Sequence, residues 1–156
     1  MPRSLIVAAL IASLACVSAA GARQLSGAAK VAGASPNVLR VVVTDVTSTR
    51  GHVRIDVCTR TEFLKDCHVS SAAPAMLGTT VVVVRDLPPG VYAVQAYHDR
   101  NDNQSVDRDF LGFPTEAVGF SNDAPIRFKP PSFKDAAFAH TGGEESITLR
   151  LRQFHP

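Results

Sequence analysis

Oxygen-bearing side chains occupy every second position of one segment of the chain, between residues 99 and 107. Calcium takes six to eight oxygen ligands, and calcium-binding loops supply them from alternating positions, so that the ligands converge while the intervening residues point outward. The segment therefore predicts a loop that wraps a calcium ion. The alternating set, with two later carboxylates that would complete it, is Asp99, Asn101, Asn103, Ser105 and Asp107, followed by Asp109 and Glu116.

This spacing matches only part of an EF-hand loop. Gln104 stands where that loop needs glycine for its sharp turn, and Phe110 stands where it ends in a bidentate glutamate. A calcium site of this kind would be weak, with a dissociation constant of about 10⁻⁴ to 10⁻³ M. The alternative is a loop without a cofactor, because Asn and Asp bond their own backbone in Asx-turns and are common in solvated turns.

Three residues of this region have the side chains of an acid–base site, namely His98, Asp99 and Glu116. Such chemistry needs a base within hydrogen-bond reach of the reacting group. His98 shares a strand face with Val94 and Ala96, which favours a structural histidine that orients the loop. The sequence contains no GxSxG elbow, HExxH helix or phosphate-binding glycine loop. We therefore expect a non-catalytic protein, with a hydrolase that uses these three residues as an alternative.

Phe110, Phe113 and Phe120 belong to the same region. Aromatic residues on a long loop usually anchor it to the body of a domain. If they instead form an exposed patch, they indicate an interaction surface for a cell-envelope protein or a polysaccharide. Solvent exposure separates the two interpretations. Gly119 and Asn122 are expected to orient the end of the loop, where Gly119 would allow a tight bend.

The N-terminus has the pattern of a secretory signal. Arg3 precedes an apolar run over residues 5–17, and small residues follow it. We expect cleavage after Ala20 or Ala22 and a periplasmic or secreted protein. The run is too short for a membrane span, which needs about 20 apolar residues. No second candidate follows it, so we expect no transmembrane span after signal removal.

Two cysteines remain once the signal, which contains Cys16, is removed: Cys58 and Cys67. An even number of cysteines in an oxidising compartment predicts one disulfide bond. Their spacing fits neither a CxxC redox motif nor a usual zinc site. Leu14 lies one position too close to Cys16 for the usual lipobox, which argues against lipidation.

The charge balance excludes one class of partner. The formal net charge is only +2, and the basic residues are scattered along the chain, so the sequence lacks the footprint of a nucleic-acid-binding protein. A chain of this length buries enough surface for one domain with a single core. We expect a monomer whose partner lies in the cell envelope or outside the cell.

Apolar residues alternate with a period of two rather than 3.6, which predicts strands. Alternation covers residues 52–57 and 146–152, and β-branched runs cover residues 39–46, 79–85 and 91–98. Turn signals separate these segments. We also expect shorter strands at residues 126–128 and 136–139, and a turn of helix at residues 72–77.

These elements predict an all-β fold, an antiparallel β-sandwich of about seven short strands with a long Asx-rich loop. The sandwich domain would cover residues 38–153. A signal peptide at residues 1–22 and a flexible leader at residues 23–37, rich in Ala, Gly and Ser, would precede it.

An ordered set of motifs runs through the second half of the chain. It consists of Leu-Pro-Pro-Gly-Val-Tyr at 87–92, Tyr-His-Asp at 97–99, the Asn-rich loop, Leu-Gly-Phe-Pro-Thr-Glu at 111–116 and Gly-Phe-Ser-Asn at 119–122. This order resembles domain-of-unknown-function family 2141 of bacterial exported proteins, over about residues 39–151. The resemblance implies a small β-sandwich similar to the transthyretin-like, immunoglobulin-like or carboxypeptidase regulatory-like class, with no established activity. We therefore expect an exported binding or accessory module.

Overall fold

A computed structural model describes residues 37–127 and 129–153 of the chain, and this part contains eight β-strands. The predicted signal peptide and all but the last residue of the predicted leader lie outside the described residues. The elements are β1 (Val38–Val46), β2 (His52–Cys58), β3 (Val69–Pro74), β4 (Gly78–Arg85), β5 (Gly90–Asp99), β6 (Val118–Phe120), a 3-10 turn (Ser121–Asp123), α1 (Phe133–Ala136), β7 (Phe138–His140) and β8 (Glu144–Arg150).

The strands form two sheets, which confirms the predicted β-sandwich. The first sheet has the order β4-β1-β8, and the second has the order β3-β2-β5-β6, with β7 paired to the start of β5. All described pairs of strands are antiparallel except β1 and β8, which run parallel. A parallel pair needs a long connection, and here nearly the whole domain lies between these two strands.

The core lies between the two sheets. Because side chains alternate across a strand, every second residue of β1 and β2 faces inward. This alternation is the pattern that located β2, whereas β1 was located as a β-branched run. Leu39, Val41 and Val43 of β1 are fully buried, and so are Val53 and Ile55 of β2. They pack with inward residues of β4, β5 and β8 into one cluster, the main core.

A second apolar cluster covers part of the opposite face of the second sheet. The Phe63 ring packs edge-on against the rings of Phe120 and Phe133, each with a centroid separation of 5.8 Å. Cys58 at the end of β2 belongs to this cluster, and it forms the predicted disulfide bond with Cys67. The disulfide therefore ties the segment after β2 to the outer face of the sheet.

Four local predictions were wrong. Residues 72–77 do not form a turn of helix, because Ala72 and Ala73 pair with β2 as part of β3. Residues 126 and 127 are not in a strand, since Pro125 removes a backbone donor there, and residue 128 lies outside the described part. Residues 136–139 hold the end of α1 and the start of β7 instead of one strand. Gly119 lies within β6 instead of a tight bend.

Candidate functional site

The outer face of the second sheet carries a row of polar side chains. Arg54 and Asp56 of β2 lie opposite Tyr97 and Gln95 of β5, and Asp56 also lies opposite Ser70 of β3. Paired residues on neighbouring strands point to the same face of a sheet. Because Val53, Ile55 and Val57 face the main core, these polar residues face away from it.

A pocket of about 200 Å³ opens on this face. We call it the polar pocket. It lies across β2, β3 and β5, with one residue of the loop after β5 at its edge. Its lining residues are Arg54, Ile55, Asp56, Ser70, Ser71, Ala72, Tyr97 and Gln104.

Several polar groups of this pocket make no hydrogen bond to any residue in the described part of the chain. They are the Tyr97 hydroxyl, the Ser70 hydroxyl and the two terminal nitrogens of Arg54. The Asp56 carboxylate is bonded through only one oxygen, which accepts from the Gln95 amide at 3.1 Å. Ser70 is exposed, and none of these groups is among the buried polar atoms that lack a partner, so they are open to water and available to a ligand.

Asp99 connects the pocket to the Asx-rich loop, which we define as residues 100–117 between β5 and β6. The Asp99 side chain is fully buried, and its Oδ2 accepts a hydrogen bond from Arg54 Nε at 2.6 Å. The same carboxylate accepts from the backbone N–H groups of Asn103 at 3.1 Å and Gln104 at 2.9 Å. One carboxylate therefore fixes both the arginine of the pocket and the turn of the loop.

The exposed part of the loop is held by its own side chains. The Asn101 and Asn103 amides donate to the two oxygens of Asp107, at 2.8 Å and 2.7 Å. Their own side-chain oxygens accept from the backbone N–H groups of Asn103 and Ser105, two residues further on, which is the Asx-turn geometry. Asx-turns of the kind that the sequence indicates are therefore present in this loop.

The two later carboxylates that were predicted to complete a calcium site also bond to backbone. Glu116 is buried and accepts from the N–H groups of Arg100 at 3.0 Å and Asp107 at 3.3 Å. Asp109 accepts from the N–H groups of Leu111 and Phe113, both at 2.9 Å. The structure therefore gathers Asp99, Asp107 and Glu116 around the loop backbone and places Asp109 at a separate turn.

Gln104 adopts the left-handed conformation, with φ of 65°, and Asp102 adopts it too, with φ of 58°. A residue with a side chain is strained there by roughly 1 to 2 kcal/mol. The two backbone bonds to Asp99 hold the turn in this shape. His52 of β2 adds a second anchor, with its ring nitrogen 2.5 Å from Asp102. The loop thus bonds to β2 directly through Asp102, and Asp99 of β5 connects the loop backbone to Arg54 of β2.

The remaining residues that the sequence assigned to orienting the loop have distinct roles. The ring of His98 bonds to the backbone oxygen of Arg50 at 2.9 Å, and His98 is buried. The Asn122 amide donates to the Ala137 oxygen at 2.8 Å. A side chain at Gly119 would place its Cβ 2.3 Å from the Arg150 oxygen, so glycine is needed there for close contact between strands.

The three residues of the hydrolase alternative do not meet at an open site. His98 and Asp99 are consecutive residues of β5, so their side chains point to opposite faces of the sheet. Asp99 and Glu116 share the outer face, but both are buried and bonded to backbone. None of the three lines the polar pocket.

The three phenylalanines also separate. Phe120 is buried in the second apolar cluster. Phe113 is partly buried, whereas Phe110 is 94% exposed at the loop tip, next to Leu111 at 62%. Phe120 therefore anchors the chain as predicted, and the exposed apolar surface consists of Phe110 and Leu111 rather than the predicted trio.

Burial and neighbouring charges shift the pKa values at the site. Burial raises the pKa of the Asp56 carboxyl, although the Gln95 hydrogen bond and the Arg54 charge act in the opposite direction. Burial, followed by the charge of Asp56, raises the pKa of the Tyr97 hydroxyl to about 12. Burial would also raise the pKa of Asp99, but hydrogen bonds from Arg54 and the loop backbone outweigh it and lower that pKa.

Sequence reasoning missed the polar pocket. The alternation of β2 placed Arg54 and Asp56 on its polar face, which was the available signal.

Within the described ranges, no group of three or more His, Cys, Asp or Glu side chains is arranged to hold a metal ion. No helix of the described part is long and apolar enough to cross a membrane.

The fold and the site define an all-β sandwich domain with one disulfide, an Asx-rich loop and a polar pocket on its outer face. The chain belongs to the family described as an uncharacterized protein conserved in bacteria (DUF2141), which it matches over residues 41–148. No curated protein and no solved structure matches the chain.

Proposed function

We propose that the chain is an exported, non-catalytic binding module and that the polar pocket is its ligand site. The observation that carries this proposal is the set of unused hydrogen-bonding groups of Arg54, Tyr97 and Ser70 in one pocket. Ligand sites place a few polar groups so that they converge on one concave surface. These groups are open to water, so a ligand that enters the pocket would replace water as their hydrogen-bond partner.

The Asx-rich loop supports this proposal as a positioning element. Its buried anchor Asp99 holds Arg54, a lining residue of the pocket, by Nε and leaves the two terminal nitrogens without a partner in the described part of the chain. The loop also contributes Gln104 to the pocket edge. We propose that the loop is ordered by these bonds without calcium, since Arg54 and the backbone N–H groups of Asn103 and Gln104 already bond to both Asp99 oxygens that a cation would need.

Export is part of the proposal. A disulfide persists in an oxidising compartment and is rare in the cytosol. The bond between Cys58 and Cys67 agrees with the periplasmic or secreted location that the N-terminal pattern predicts.

Protein-observed NMR tests the proposal. We expect at least one class among small sugars, polyols, amino acids and organic acids to shift the amide signals of Arg54, Ser70 and Tyr97. Tyr97→Phe should weaken that binding, because it removes a hydroxyl that faces the ligand. Tyr92→Phe is the matched control, since the Tyr92 hydroxyl bonds to Pro88 at the other end of β5. Shifts confined to other parts of the domain would refute a ligand site here.

The loop tip favours a second candidate function, an interaction surface for a cell-envelope protein or polysaccharide. Phe110 and Leu111 are exposed side by side. Contact between their apolar side chains and water is unfavourable unless a partner covers them. A sedimentation assay with isolated peptidoglycan tests the polysaccharide case. Binding should be reduced by Phe110→Ser and unaffected by Val91→Ser, which alters an exposed apolar residue far along β5. Equal sedimentation of both variants would count against this candidate.

A further inference from the structure

We infer that the polar pocket binds a small hydroxylated organic anion whose carboxylate or phosphate pairs with Arg54. The inference rests on the proposed function, because it assigns a ligand class to the same pocket. It depends on the two terminal nitrogens of the Arg54 guanidinium, which have no partner in the described part of the chain, and on the polar groups of the pocket around them.

The two terminal nitrogens of Arg54 are the part of its guanidinium that is suited to bind an anion. Its Nε is held by Asp99, while both terminal nitrogens have no partner among residues 37–127 and 129–153. A guanidinium binds carboxylate and phosphate groups through two parallel N–H bonds. The buried Asp99 carboxylate and the loop backbone fix the guanidinium in place, so little side-chain freedom is lost when an anion binds.

The other groups of the pocket indicate a hydroxylated molecule. The Ser70 and Tyr97 hydroxyls can donate to a ligand or accept from it. The Asp56 carboxylate has one oxygen without a partner, and as an acceptor it suits a ligand hydroxyl. Asp56 repels any negative charge, so the anionic group would bind at the Arg54 end of the pocket and the hydroxyl groups of the ligand would lie near Asp56.

The pocket volume limits the size of this anion. A cavity of 150 Å³ holds a molecule as large as benzene, so a pocket of about 200 Å³ accommodates roughly six to ten non-hydrogen atoms. A hydroxylated acid or phosphate with a three-carbon skeleton has this size.

Four probes with one skeleton and different charges test the inference: glycerol, 3-aminopropane-1,2-diol, glycerate and glycerol 3-phosphate. We expect titrations followed by NMR to shift the amides of Arg54, Tyr97 and Gln104. At least one anion should bind about tenfold more tightly than glycerol, which is what one good charged pair contributes. The tighter of the two anions identifies carboxylate or phosphate as the group.

Arg54→Lys keeps a positive charge beside Asp99 but removes the bidentate fork. We expect it to reduce the preference for the anion over glycerol by about five- to tenfold. Arg85→Lys, an exposed arginine of β4 on the other sheet, is the matched control and should leave the preference unchanged. An equal preference in both variants would overturn the role of Arg54.

The wild-type titrations separate this inference from the proposed function. If glycerol shifts the pocket amides as strongly as the anions do, the pocket is a ligand site and the anionic class is wrong. If 3-aminopropane-1,2-diol binds most tightly, Asp56 dominates and the anionic class is again wrong. If no probe shifts these amides up to about 100 mM, a range wide enough for ligands of this size, both proposals fail.

Discussion

Arg54 and Asp99 form the contact on which the site depends. They lie 45 residues apart in sequence, and their bond is 2.6 Å long with the Asp99 side chain fully buried. A buried carboxylate without its partner would be costly, since removing one member of a buried pair leaves an uncompensated charge. The pair therefore stabilises the loop on the sheet at the same place where it orients the pocket.

The loss of folding stability at acid pH should depend on the Asp99 carboxylate. Its pKa is lowered in the folded protein, so its contribution to stability is present above the unfolded pKa of about 4 and is lost as the pH falls below that value. We expect Asp99→Asn to lower the free energy of unfolding at pH 7 by about 1.5 to 3 kcal/mol, the range for hydrogen bonds to charged groups.

Urea unfolding at pH 7, 4 and 3 measures this effect. The difference between wild type and Asp99→Asn should shrink toward acid pH. Asp102→Asn in the same loop is the control, because its side chain is about half exposed and surface pairs contribute about 1 kcal/mol or less. A difference that stays constant from pH 7 to 3 would contradict the assignment.

The two tyrosines should respond differently to loss of the hydroxyl. Tyr92 donates to the Pro88 oxygen at 3.1 Å, whereas the Tyr97 hydroxyl has no partner in the described part of the chain. We expect Tyr92→Phe to lower the free energy of unfolding by about 0.5 to 1.5 kcal/mol and Tyr97→Phe to change it by less. Urea denaturation of both variants measures it. A larger loss for Tyr97→Phe would show that its hydroxyl serves the fold and not a ligand.

At the scale of elements, strand positions could be predicted from the sequence, while the pocket could not. Alternation located β2 within one residue of its observed end, because its inward residues enter the main core. The prediction for residues 72–77 was wrong because their side chains show little alternation. The strand that contains residues 72–74, β3, forms through its pairing with β2. The pocket combines residues of β2, β3 and β5, and the pairing register that brings them together is a tertiary property.

The Asx-rich loop was found from its residue types, but its connections were not. The sequence showed alternating oxygens, yet it gave no sign that Asp99 turns toward an arginine on another strand. Nor did the sequence indicate that the amides of Asn101 and Asn103 both donate to Asp107.

The loop makes calcium binding directly testable. A ligand that binds only the folded state raises its stability, and a site with a dissociation constant of about 1 mM would add about 1 kcal/mol in 5 mM calcium, or a rise in Tm of several °C. Because the loop satisfies its own oxygens, we expect the Tm in 5 mM calcium chloride and in EDTA to agree within about 1 °C. A larger rise that disappears in Asp107→Asn would establish the calcium site instead.

At the scale of the molecule, two structures cover the outer face of the second sheet and the polar pocket lies between them. The disulfide and the second apolar cluster cover the end with Cys58 and Ala93, and the Asx-rich loop covers the end with Asp99. Gln95 lies between the disulfide and the pocket, since its amide is 3.1 Å from Asp56 and 3.8 Å from the Cys67 sulfur. The pocket is therefore the part of this face that neither covering structure fills.

The disulfide and the predicted export can be tested on one sample. We expect protein recovered from the periplasm or medium to lack residues 1–20 or 1–22 and to be about 2 Da lighter than its reduced form. Reduction should lower the free energy of unfolding by about 2 to 3 kcal/mol, because the closed loop is short. The NMR changes on reduction should centre on Cys58, Phe63 and Phe120 and leave Asp99 unaffected, since the loop is anchored independently. Full-length protein in the cytosol with three free thiols, including Cys16, would contradict export, and loss of the Asp99 signals on reduction would show that the two covering structures depend on each other.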